Sequence, residues 1–300
     1  MSVHKESGEI WDWAAEAVSL PPPPPSRRCH HELRAKQDVL LMYPDQQKSL
    51  KDVVELAVKR DDREFAEEQT AHGQTKAEST RLVSLARRIC ALDSNAFLEA
   101  FDEVAPLSEL SDYGASAKLS IINPTVASCE LSVSGIDAIP SEVKSLTSTG
   151  KLSVKAMPRA LFHEVHQDYI SSCMLRAARE IFTLLPIQTL IVTASSAHSD
   201  GVARPVLSAA FSRKALAALE FDTLDPSTAV ESFPHRGDFK ASRKSGAFLA
   251  IIPLSPADFA ATEVSSETPF ADLMATISSM RSDIKSAIDE LGAPVGQGNP

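Results

Sequence analysis

The sequence predicts an α+β protein. It should hold a mainly antiparallel or mixed sheet with one long helix, about residues 159–185, packed on one face, behind a helical N-terminal segment. Three observations carry that prediction. Stretches of alternating apolar residues cluster after Pro106. A wide apolar stripe at helical spacing runs from Phe162 to Leu185. Before Pro106 the apolar residues recur only at helical spacing, among many charges.

The chain opens with a short amphipathic stretch around Trp11 and Trp13, followed by Pro21 to Pro25. Five consecutive prolines favour polyproline II and read as a spacer. In residues 46–70, Leu50, Val53, Val54, Ala57 and Val58 share one helical face, and Gly73 in "TAHGQT" is a place for that helix to end. "ESTRLVSLARRICAL" then predicts a second helix, and "NAFLEAFDEV" a third with Asp93 or Ser94 as its N-cap.

Strands are expected at 117–122, 128–136 and 151–158, the last two separated by a turn-rich stretch around "AIPSEV" and "TSTG". The long helix follows and is stopped by Pro186. Ile187 to Ser195 is a nearly continuous apolar run, as in a central strand covered on both faces. "PVLSAAFS" reads as a strand and "RKALAAL" as a short helix. "DPSTAVESF" is another helix, with Asp225 as N-cap and Pro226 at the first helical position. "AFLAIIPL" (247–254) suggests a last strand, and 269–291 an amphipathic helix. The expected divisions are a flexible proline-rich leader at 1–31, a charged helical segment at 32–104, an α+β core domain at 105–260, and a C-terminal helix with a loose tail at 261–300.

Composition limits the function classes. Hydrophobic residues make up 43% and charged residues 23%, with a net charge of −10. That balance argues against broad binding to nucleic acid or to an anionic membrane. No run reaches the roughly 20 apolar residues of a membrane span, and the N-terminus lacks a signal-peptide pattern. A cytoplasmic protein is expected. Cys29, Cys90, Cys129 and Cys173 have no paired spacing and read as reduced thiols.

The densest chemistry is "HEVHQDYISSCMLRAARE", residues 163–180. His163 and His166 stand at i and i+3, whereas the zinc-protease motif sets its histidines at i and i+4 around a Glu, so no metal site is read there. Asp168 in mid-helix requires a partner such as an Arg, a Ser hydroxyl or a substrate. Arg176 and Arg179 are the nearest cations, and Arg176 can also pair with Glu180. Asp168, Tyr169 and Arg176 are ligand-binding candidates. So are His235 and Arg236 in "FPHRGDF", where a helix C-terminus near cations is the plainer reading. In "RRCHHE" adjacent side chains cannot all face one metal, and the stretch reads as a solvated basic knot.

The element order also matches a restriction-endonuclease-like core, in which an acid and an ExK tripeptide converge on a divalent metal. Glu142 and Lys144 supply the ExK, with Asp137 or Glu130 as the further acid. Mg²⁺ would be the cofactor of such a nuclease. No nucleotide-cradling or hydrolase-elbow motif occurs.

From about Leu107 to Leu254 the chain resembles a family of uncharacterised bacterial proteins. The resemblance is carried by "IPSEVKSLTSTGKLSVKAMP", "QDYISSCMLRAAREIFTLLP", "LIVTA", "LDPSTAVESF" and "HRGDF". It implies a bacterial source and one coherent domain behind a charged helical segment, and it brings no activity, cofactor or catalytic residue. Two functions are therefore expected: a binding or assembly module with a protein partner, self included, through the helical segments, or else a metal-dependent nuclease.

Overall fold

The computed structural model describes residues 3–6, 8–40, 47–146, 148, 150–197, 201–239 and 248–258. The fold is α+β. Its five-stranded mixed sheet has the order β1-β2-β5-β6-β7, and a separate two-stranded hairpin pairs β3 with β4. The strands are β1 (Ser116–Asn123), β2 (Val126–Val133), β3 (Glu142–Leu146), β4 (Leu152–Ala156), β5 (Thr189–Ala197), β6 (Ala203–Ser212) and β7 (His235–Arg236). β2 and β5 run parallel, and the other neighbours in the large sheet are antiparallel. The parallel pair is joined by the β3–β4 hairpin and the long helix α5 (Arg159–Leu184).

Helices α1 (Trp13–Ala17), α2 (His30–Leu40), α3 (Gln47–Cys90) and α4 (Ser94–Val104) precede the sheet. α6 (Arg213–Ala217) and α7 (Pro226–Glu231) follow β6. The described residues divide into two compact units, those within 13–87 in one and those within 1–12 and 88–258 in the other. These limits differ from the divisions expected near residues 31 and 104. Residues 3–6 and 8–12, expected to belong to a flexible leader, pack with the sheet unit: Trp11 N–H donates to Thr183 O at 3.1 Å and Gly8 N–H to a Glu180 carboxylate oxygen at 2.9 Å.

The two predicted helices on either side of Gly73 form a single 44-residue helix, α3, about 66 Å long at 1.5 Å per residue. Glycine inside a helix costs only about 1 kcal/mol, and a Cβ at Gly73 would meet nothing within 4 Å. Nothing there ends the helix. Asp93 is the N-cap of α4, its carboxylate accepting from Asn95 N–H.

α5 is more deeply buried than its stripe predicts. Every residue from Tyr169 to Ala178 is buried, including the polar Ser171, Ser172 and Arg176. It packs on β2 and β5, and also meets α4, α7 and the N-terminal 3-10 turn Val3–Lys5. β5 is the central strand expected of its apolar run, with Leu190, Val192 and Ala194 fully buried and Ile191 nearly so.

Two strand predictions are corrected. Glu142–Leu146, read as turns, is strand β3. Residues 248–254 form no strand, although Ile251 N–H donates to Pro205 O at 2.9 Å and Phe248 is buried. The predicted helix at 269–291 lies outside the described residues. No helix of the described residues is long and apolar enough to cross a membrane.

Candidate functional site

Glu142 and Lys144 lie on β3, away from the five-stranded sheet, so the ExK pair does not stand on a strand next to β2, which carries Glu130. Asp137 falls in a 3-10 turn, Ile136–Ala138, between the two. Among the described residues, neither Glu130 nor Glu142 belongs to a group of three metal-ligand side chains.

The hairpin register pairs Glu142 with Ala156, Lys144 with Val154 and Leu146 with Leu152. Paired residues, and residues two apart, share one face of a ribbon. That face therefore carries Glu142, Lys144, Leu146, Leu152, Val154 and Ala156, and all six are exposed. Leu146 is 75% exposed, Leu152 64% and Val154 47%. Only Val143 and Ser153, on the opposite face, are half-buried. Both edges of the ribbon lack a strand partner among the described residues.

The candidates on α5 are engaged internally. Tyr169 donates its hydroxyl proton to Tyr113 O at 2.7 Å and accepts from Ser134 N–H at 3.2 Å, tying α5 to the approach and the exit of the β1–β2 hairpin. Asp168 accepts from the Ser227 hydroxyl on α7 and not from an arginine. Burial pushes its carboxyl above the usual range, against the lowering effect of that hydrogen bond. Arg176 pairs with Glu180 at 2.7 Å, as its spacing predicts, and also with Glu109 at 3.0 Å and Glu6 at 3.4 Å. Arg179 reaches the His4 and Lys5 carbonyls and lies over the Phe221 ring.

His163, His166, Gln167 and Ser171 line another strip of α5, and all four are buried. One polar atom of each, His163 Nδ1, His166 Nε2, Gln167 Oε1 and Ser171 Oγ, has no hydrogen-bond partner among the described residues. Burial pushes the His166 imidazole down to about 4, with His163 adding repulsion. Burial likewise pushes the Cys129 and Cys173 thiols up to about 12, which keeps them protonated and unreactive.

His235 and Arg236 do not sit at a helix end. They form β7, paired with Ala209 and Ser208. Arg236 donates to Pro253 O at 2.8 Å and pairs with Asp258 at 2.8 Å, so its cation fastens the 252–258 segment to the sheet.

The "RRCHHE" stretch is placed differently from the expected solvated knot. His30 and His31 open α2 and face Asp61 and Glu64 on α3. One ligand atom from each of these four lies within 4.8 Å of the others. Asp61 is fully buried and caps α2 from outside it, its two carboxylate oxygens accepting from His31 N–H at 3.2 Å and Glu32 N–H at 2.9 Å. His31 Nε2 is 2.9 Å from Glu64 Oε1. Asp61 and Glu64 escaped the sequence reading. Their i, i+3 spacing on one helix was the local signal, but nothing local says that α2 folds back onto them.

Neither family models, curated proteins nor solved structures gave any match to this chain.

Proposed function

We propose that the chain is a binding and assembly module whose docking element is the β3–β4 hairpin and whose partner is a second copy of itself. The observation that carries this reading is the uncovered face with Leu146, Leu152 and Val154. A two-stranded ribbon is marginal in water unless its face packs on something, and contiguous exposed apolar groups mark interaction surfaces. The same face holds one acid, Glu142, and one base, Lys144, so two copies meet without net charge repulsion. Each strand is only 5 residues long, which makes the contact weaker than a standard interface of about 1,600 Å². Membership of the bacterial family resembled by residues 107–254 belongs to this reading and brings no activity with it.

Sedimentation velocity of the full chain across a concentration series tests it. The expected result is a reversible dimer that disappears in the Leu146→Lys/Leu152→Lys double variant, with the thermal midpoint unchanged because both side chains are already exposed. A monomer at every concentration removes the proposal. A dimer that survives the double variant but falls with Leu56→Lys moves the interface to the helical segment, where Leu56 is exposed.

A further inference from the structure

Zinc-class chemistry is written into the α2–α3 contact, independently of the hairpin. We propose that His30, His31, Asp61 and Glu64 bind one divalent cation of the zinc class, which staples α2 to α3.

The four donors come from two elements. His30 and His31 begin α2, and Asp61 and Glu64 lie one turn apart on α3. A four-coordinate zinc holds nitrogen and oxygen at about 2.0–2.2 Å, which sets its donors about 3.4 Å from one another. Here His31 Nε2 is 2.9 Å from Glu64, and the two His30 nitrogens are each 3.8 Å from a carboxylate oxygen, one of Asp61 and one of Glu64. The widest separation of 4.8 Å closes by side-chain rotation, which the 58% exposed His30 side chain is free to supply.

His30 is the informative member. At 3.8 Å neither of its nitrogens makes a hydrogen bond, yet the ring lies between two carboxylates. Its centroid is also 3.8 Å from that of His31. The pair of carboxylates supplies the charge that a dication neutralises.

Asp61 is already oriented. Its two carboxylate oxygens accept from the backbone N–H groups of His31 and Glu32. Each oxygen keeps a lone pair beyond the one it has given to the backbone, and such outer hydrogen bonds are what fix a ligating carboxylate. Arg27 does not occupy the site: it bonds Asp62 and the Cys29 sulfur and pairs with Glu32. Two imidazoles with two carboxylates suit zinc over magnesium or calcium, which take oxygen alone. With all four positions supplied by the protein, the site is a structural one and not an open, water-holding one.

Isothermal titration of the untagged, EDTA-treated full chain with ZnCl₂ tests this, with cobalt absorption as a second readout of four-coordinate geometry. One zinc per chain is expected, undisturbed by excess Mg²⁺. His30→Ala removes an exposed ring that makes no hydrogen bond among the described residues, so the fold survives it; Glu64→Gln removes a charge at the same site. Each should weaken zinc by about 100-fold or more, while Leu146→Lys/Leu152→Lys leaves it unchanged. No uptake at one equivalent overturns the proposal, and so does binding that both His30→Ala and Glu64→Gln leave intact.

Discussion

Arg213 stands just past β6, where its guanidinium meets the end of α5. It donates to Phe182 O and Ile187 O, each at 2.8 Å, and to Leu185 O, so one side chain satisfies carbonyls that the helix end leaves open. Burial pushes its pKa down to about 10, still charged at neutral pH. Arg213→Ala should cost about 3 kcal/mol in urea unfolding, because it strands several part-buried carbonyls. Arg213→Lys should recover under half of that, since a single ammonium cannot span three divergent acceptors. A full recovery by Lys would show that charge, not the fork, is what matters. His166 gives a pH prediction. Its folded value near 4 is below the ordinary 6.5, so the unfolded chain binds a proton that the folded chain refuses. Stability is therefore intact above about pH 6.5 and falls as pH drops toward 4, by up to about 3 kcal/mol from this residue. Urea midpoints between pH 7 and 4 should show that slope, and His166→Leu should flatten it. Asp168 works in the opposite direction. Its carboxyl is raised, so its contribution is present at low pH and lost as pH rises through the folded value. Asp168→Asn should stabilise the protein at pH 7, with the gain shrinking on acidification.

At the scale of elements, α3 and the β3–β4 hairpin show why local pattern was an uneven guide. α5 was legible because a strong apolar stripe runs up to Pro186, and α7 because Asp225 and Pro226 cap it. β3 was not, since it buries neither face and so shows no alternation to detect. α3 was divided at Gly73 because glycine usually marks an end, though in an exposed helix it is only a weak point. Gly73→Ala should therefore raise the helical stability by about 1 kcal/mol, read as a higher midpoint of the far-ultraviolet circular dichroism melt. No change would mean that this stretch melts apart from the rest. The apolar run at 248–254 misled for the reverse reason: it supplies Phe248 to the core and is held by hydrogen bonds from Ile251, Leu254 and Arg236, without joining the ladder.

Across the whole molecule, burial is concentrated in β2, β5, β6 and α5, while between residues 66 and 81 of α3 only His72 and Ser79 are even half-buried. Opening free energies follow that distribution. Amide hydrogen exchange should be slowest in β2, β5 and β6 and fastest, among the helical amides, in 66–81. Equal protection across both would contradict the exposure of that part of α3. Zinc should slow exchange in α2 and leave the sheet unchanged, because all four donors lie in the unit formed by residues 13–87.

The amino-acid sequence by itself determined the α+β class, the long helix at about 159–185, the central strand β5 and the capped helices α4 and α7, since periodicity, prolines and caps act within a few residues. Only the tertiary structure decided that residues 3–6 and 8–12 pack on Ser172, Arg179 and Glu180 of α5, that Ser227 answers Asp168, that Glu142 and Lys144 stand on a separate ribbon, and that two histidines meet Asp61 and Glu64. Those pairings join residues about 30 to 170 positions apart in the chain. Which distant segments meet is settled by how apolar surface is buried everywhere at once, and no local spacing encodes it.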